Sequence, residues 1–125
     1  MNKKLLIVDN EETILFALKR YFSKLRYRVD AACELEEAEA LVAHTRYDLV
    51  IADLSLTTGG STEGLEVLRF LRTCAPKTPA ILLTAFGTPA VEREARRRGA
   101  QAVLAKPQPL PELARVAGEL VGAQP

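Results

Sequence analysis

Asp48-Leu49-Val50-Ile51-Ala52-Asp53 decides how this chain folds: four apolar residues run without a break and stop on a carboxylate. The same grammar recurs elsewhere. Leu5-Leu6-Ile7-Val8 stops on Asp9, Ala80-Ile81-Leu82-Leu83 on Thr84, and Ala102-Val103-Leu104-Ala105 on Lys106. A short continuous apolar run fits a strand buried on both faces of a parallel sheet. Open parallel sheets bind ligands at the carboxyl ends of their strands. The pattern therefore gathers two carboxylates, a hydroxyl and an ammonium at one edge.

Working outward, the composition narrows the class. At 125 residues and 48% hydrophobic, the chain is one ordinary domain with a sizeable core. A net charge of +1 gives no case for nucleic acid or a membrane surface. No apolar run approaches the roughly 20 residues of a membrane span. Met1-Asn2-Lys3-Lys4 leads into too short an apolar run for a secretory signal, so a cytoplasmic protein is expected. Cys33 and Cys74 are isolated, which argues against a metal site or disulfide framework. Both are expected to be small buried or half-buried residues in a reducing compartment.

Read in order, strands at Lys4–Val8, Arg28–Ala32, Asp48–Ala52, Ala80–Leu83 and Ala102–Ala105 alternate with helices. The first helix carries Ile14, Leu18, Phe22 and Leu25 at a period near 3.6. The second runs from about Glu34 to His44, with Leu35, Ala38, Leu41 and Val42 on one side. Thr62 is a candidate N-cap for the third, whose core positions are Leu65, Leu68 and Leu71. The fourth spans about Pro89 to Arg98, with Gly99 where a left-handed cap is expected. The fifth spans about Pro111 to Val121, so the domain is read as 1–121 with a frayed tail at 122–125. Such alternation implies an α/β, doubly wound parallel sheet of five strands. In the order 2-1-3-4-5 the switch point falls between the first and third strands and places Asp9 beside Asp53.

Two carboxylates side by side repel by about 4 kcal/mol at about 4 Å and an effective dielectric near 20. A hard dication relieves this, and Mg²⁺ favours one or two carboxylates with waters and phosphate oxygens. Lys106 supplies a point charge for the same phosphate, and Thr84 a hydroxyl. A carboxylate is also a nucleophile toward phosphorus. Taken singly, an Asp, Thr or Lys at a strand end is ordinary loop punctuation; the joint pattern carries the reading.

The residues Leu5 to Glu11, Asp48 to Asp53, Leu82-Leu83-Thr84-Ala85, Gly99-Ala100 and Lys106-Pro107 resemble, in order and spacing, the receiver domain of two-component response regulators. The resemblance covers essentially the whole chain and implies a flavodoxin-like (βα)5 fold. It implies that Asp53 accepts a phosphoryl group from a histidine kinase or phosphotransfer protein. It implies that Thr84 and Lys106 contact the phosphoryl oxygens and register phosphorylation. Asp9, Asn10, Asp53 and the backbone carbonyl of Ser55 would hold Mg²⁺. The bond before Pro107 is usually cis in the family. Beyond its own Mg²⁺-dependent phosphorylation and dephosphorylation, no enzymatic activity is expected.

The chain departs from the family at several positions. Asn10 stands where an acid usually contacts the metal. One charge against a dication at about 4 Å is worth about 2 kcal/mol in water and about 8 at a dielectric near 20. Weak, millimolar Mg²⁺ binding is therefore expected. Glu11 is read as an acidic first-turn residue rather than a substitute ligand. Val103 stands where the family usually has Tyr or Phe, so readout is expected to use other contacts. The loop after Asp53 is longer than usual and carries Thr57 in place of a common Pro. Phe86 matches a position that tunes the lifetime of the phosphorylated state, as does Ser55. The run Arg93, Arg96, Arg97 and Arg98 is read as a solvated helix face complementing the C-terminal dipole. His44 is read as a surface residue.

Three functions compete. The first is a phosphorylatable signalling switch with an unidentified output partner. The second is a degenerate receiver that binds protein independently of phosphorylation, favoured by Asn10 and Val103. The third, a small hydrolase on the same carboxylate chemistry, lacks a substrate cap. Gln101 and Ala102 replace acids common in dimerising members, so a monomer or weak dimer is expected.

Overall fold

The computed structural model describes residues 2–54, 63–85 and 88–122. Five parallel strands, β1 (Lys4–Val8), β2 (Arg28–Ala32), β3 (Leu49–Asp53), β4 (Ala80–Thr84) and β5 (Ala102–Ala105), lie in the order β2-β1-β3-β4-β5. Helices α1 (Glu12–Lys24), α2 (Leu35–His44), α3 (Glu63–Cys74), α4 (Pro89–Arg97) and α5 (Leu110–Gly122) connect or follow them. The expected doubly wound α/β, flavodoxin-like architecture is present, with the switch point between β1 and β3.

Strand side chains alternate between the two faces. Leu6, Val8, Val50, Ala52 and Leu82 pack with Ala38, Leu68 and Ala95, so α2, α3 and α4 cover one face. Leu5, Ile7, Leu49, Ile51 and Ile81 pack with Phe22, Leu113 and Ala117, so α1 and α5 cover the other. The central strand β3 is buried along its whole length and includes Asp53 itself, one residue beyond the expected strand end.

Several expectations are corrected by position in the sheet. The run Ala102–Ala105 is only partly buried, and Ala105 is exposed, because β5 is an edge strand with a neighbour on one side. Leu25 is 47% exposed: it is the C-cap of α1, where the chain leaves the helical period. Cys74 is exposed at the last position of α3, whereas Cys33 is half-buried as expected. Leu110 opens α5 one residue earlier than expected, and Gly122 lies in the helix rather than in a frayed tail. Positions 123–125, Thr57, and the cap expected at Thr62 lie outside the described residues.

The helix ends follow local chemistry. Thr88 caps α4, its hydroxyl accepting from the Val91 N–H at 3.2 Å, with Pro89 at the first turn. Gly99, at φ +108°, closes α4 as expected. Its N–H donates to the Arg96 carbonyl, and Ala100 N–H donates to the Ala95 carbonyl. No described helix is long and apolar enough to cross a membrane.

Candidate functional site

Register places the strand-end residues. Val8 pairs with Ala52, so the next residues, Asp9 and Asp53, leave adjacent strands at the same level. Asp53 pairs with Leu83 and Thr84 with Ala105, which sets Thr84 and Lys106 progressively further along the edge. Asp9 and Asp53 share strand parity with Ile7 and Ile51, which face α1 and α5. Lys106 shares parity with Ala102 and Leu104 on that same face. Thr84 follows Leu82, of the opposite face.

Lys106 bridges the carboxylates. Its Nζ lies 3.2 Å from Asp9 Oδ2 and 3.4 Å from Asp53 Oδ2. The side chains of Lys106, Asp9 and Asp53 are 16%, 2% and 8% exposed, so the three charges meet almost out of water. Burial pulls the Lys106 ammonium toward lower pKa, but the Asp9 and Asp53 carboxylates together outweigh it and hold the pKa above the ordinary lysine value. The other Asp9 oxygen, Oδ1, accepts the Glu11 N–H at 2.9 Å, which fixes its carboxylate plane. Glu11 itself is the exposed N-cap of α1. Thr84 is buried, and its carbonyl accepts the Lys106 N–H at 2.8 Å. The Lys106–Pro107 peptide bond is cis. Ser55 and Phe86 lie outside the described residues. Val103 is half-buried on β5 and packs against the α2, α3 and α4 face.

The donor set fits a hard cation: two carboxylates gather where the chain's own ammonium balances the charge, and Asn10 follows Asp9 directly in the chain. Among the described residues, no group of three or more His, Cys, Asp or Glu gathers for a metal.

Sequence reading gave no role to Gly64. A Cβ built there would lie 2.4 Å from the Asp53 carbonyl oxygen and 2.6 Å from Leu54 Cα. Only glycine lets α3 begin this close to β3, and Gly64 N–H donates to the Leu54 carbonyl at 2.8 Å. The available signal was a poor helix former at the head of an amphipathic pattern. Tyr47 was missed too. It is buried, and its hydroxyl donates to Asp30 Oδ2 at 2.6 Å. Burial, followed by that hydrogen bond, pushes its pKa well above the ordinary tyrosine value.

The arginine run is engaged with neighbours. Arg96 pairs with Glu92, Arg97 with Glu94, and Arg98 with both Glu94 and Glu66. Arg93 is exposed, and none of these pairs includes it. His44 is exposed.

Comparison with known proteins adds a family frame. The profile of the response regulator receiver domain matches residues 5–117. Sporulation initiation phosphotransferase F of Bacillus subtilis is 30% identical over 90% of this chain and 89% of its own length. Response regulator protein PilR of Pseudomonas aeruginosa is 31% identical over 89% of this chain but only 24% of its own. Transcriptional regulatory protein ResD of Bacillus subtilis is 35% identical over 83% of this chain and 42% of its own. The chain thus spans less than half of the two regulators. A CheY-like response regulator receiver domain protein from Methanospirillum hungatei superposes with a TM-score of 0.93 at 25% identity, covering 99% of this chain and 97% of that one. The receiver domain of a Francisella response regulator gives 0.86 at 26% identity, covering 97% and 98%.

Proposed function

The chain belongs to the response regulator receiver domain family of two-component signalling, and we propose that Asp53 is its phosphoacceptor, supplied by a histidine kinase or a phosphotransfer protein. The observation that carries the reading is the buried cluster itself. Asp53 ends the central strand with Lys106 Nζ at 3.4 Å and Asp9 across the same ammonium. A purely docking module has no use for that arrangement, because buried charge is costly to maintain.

In the proposed step a carboxylate oxygen of Asp53 attacks phosphorus. The P–O bond forms as the P–N bond of phosphohistidine breaks, and the imidazole nitrogen leaves with the electron pair and takes up a proton. Lys106 holds its ammonium where negative charge increases, and Thr84 offers a hydroxyl to a phosphoryl oxygen. Asp9, Asn10, Asp53 and the Ser55 carbonyl would hold Mg²⁺. When bound, Mg²⁺ supplies charge neutralisation for the phosphoryl oxygens. With an amide at position 10, that affinity is in the millimolar range.

The test is incubation with a small acyl phosphate and Mg²⁺, followed by intact mass. A gain of one phosphoryl group that Asp53→Asn abolishes is the expected result. No gain, with the small donor and with a cognate kinase, would overturn the switch in favour of a phosphorylation-independent binding module.

A further inference from the structure

Val103 has no ring to swing and no polar atom to exchange partners, so readout of phosphorylation needs another path. A continuous one runs through α3. The Asp53 carbonyl lies against Gly64, where a Cβ would meet it at 2.4 Å. Gly64 N–H is bonded to the Leu54 carbonyl at 2.8 Å. At Gly64 the end of β3 and the first turn of α3 meet backbone to backbone. The next two residues of that turn both engage α4. The Leu65 carbonyl accepts Arg98 Nη1 at 3.4 Å, and Glu66 Oε1 lies 3.5 Å from the same nitrogen. Arg98 in turn grips its own helix through Nε to Glu94 Oε2 at 2.7 Å. A second tie runs beside it, with Arg72 Nη1 donating to the Arg97 carbonyl at 2.8 Å.

We propose that Arg98 is the positioning residue that couples the phosphoacceptor strand to α4, by linking the first turn of α3 (Leu65 and Glu66) to Glu94. The inference rests on Asp53 being phosphorylated. A phosphoryl group adds about −1.5 to −2 charge at neutral pH, and it does so on a side chain that is 8% exposed. The end of β3 has to readjust around it. Because the packing at Gly64 is tight, the readjustment moves the α3 turn rather than being absorbed. The contacts from that turn to Arg98 are long, at 3.4 and 3.5 Å, while the contact from Arg98 to Glu94 is short. Arg98 therefore belongs to α4 and can exchange its hold on α3. A cleft of ≈ 550 Å³ between α3 and α4, lined by Arg69, Arg72, Thr73, Glu94, Arg97 and Arg98, leaves room for that exchange. A guanidinium is suited to the role, since its planar fork serves two carboxylates and a carbonyl at once.

The test uses the full chain with and without a small acyl phosphate and Mg²⁺, and three measurements. Intact mass reports phosphorylation, hydrogen exchange over residues 88–98 reports α4, and loss of the added mass with time reports the phosphoryl lifetime. In the wild type, phosphorylation changes exchange over α4. Arg98→Ala gains the same mass, loses the α4 response, and changes the phosphoryl lifetime severalfold, because the turn beside the phosphoacceptor is no longer held to α4. A merely frayed α4 would leave that lifetime alone. Arg98→Lys keeps the charge without the fork and falls between the two, and Arg93→Ala behaves as wild type. An intact α4 response in Arg98→Ala, or an unchanged lifetime, overturns the coupling role while leaving the phosphoacceptor assignment standing. Absence of any mass gain in the wild type overturns both.

Discussion

Two clusters in this domain are built from the same materials, two carboxylates and one cation, and behave as opposites. Asp9, Lys106 and Asp53 sit at the strand ends with side chains 2%, 16% and 8% exposed. Glu66, Arg98 and Glu94 sit between α3 and α4 with side chains 45%, 32% and 30% exposed. In the first, water relieves the carboxylates little, so each charge depends on the others, and the phosphoryl group proposed for Asp53 would disturb all of them. In the second, water screens every pair, and the cluster sets where two helices meet more than how stable the fold is. The difference separates a cluster whose charges are held by one another from one whose charges set how two helices meet.

The hardest test of that contrast is Lys106→Met. It leaves two buried carboxylates without their cation and lowers unfolding stability by about 3 kcal/mol in urea titration at neutral pH. A loss comparable to that of a surface ion pair would erase the distinction between the clusters.

A second, smaller effect lies at alkaline pH. Despite the opposing pull of burial, the Asp9 and Asp53 carboxylates raise the Lys106 pKa. Burial and the Asp30 hydrogen bond raise that of Tyr47. For both, the folded value lies above the unfolded one. Their stabilisation is complete below the unfolded values of about 10 for Tyr and about 10.4 for Lys, and is lost as pH rises through the folded values. Chemical denaturation above pH about 10 should therefore show falling stability. Tyr47→Phe removes one component of that slope and Lys106→Met the other. A wild-type slope unchanged by both substitutions would sink the assignment.

The smallest effect belongs to the exposed cluster. The Arg98 hydrogen bond, against the opposing pull of burial, and then that of Arg97 lower the Glu94 pKa. Its contribution is present above the ordinary glutamate value and is lost as pH falls through the folded one. Glu94→Gln should move the denaturation midpoint little, and added salt should remove what movement there is. A large, salt-resistant shift would mean that the second cluster is as dehydrated as the first.

Much of this was legible in the order of residues. Apolar runs ending in Asp9, Asp53, Thr84 and Lys106 announce strand ends, and strand ends of an open parallel sheet announce a site. Gly99 announced the end of α4, because only a residue tolerant of positive φ fits there. Leu25 and Cys74 were misplaced because a residue at the last turn or cap of a helix escapes the period that buries its predecessors. Ala102–Ala105 reads like its neighbours, yet its partial burial follows from lying at the sheet edge.

The sequence by itself determined the alternation of elements, the parallel sheet and the residue types that meet at its edge, since each rests on periodicity and strand-end chemistry over a few neighbouring residues. Tertiary structure alone decided that Lys106 spans both Asp9 and Asp53, that Gly64 must be bare against the Asp53 carbonyl, and that Arg98 reaches back to Leu65 and Glu66. Those contacts join residues far apart in the chain. Their distances follow from register and from how helices seat on the sheet, which no local pattern encodes.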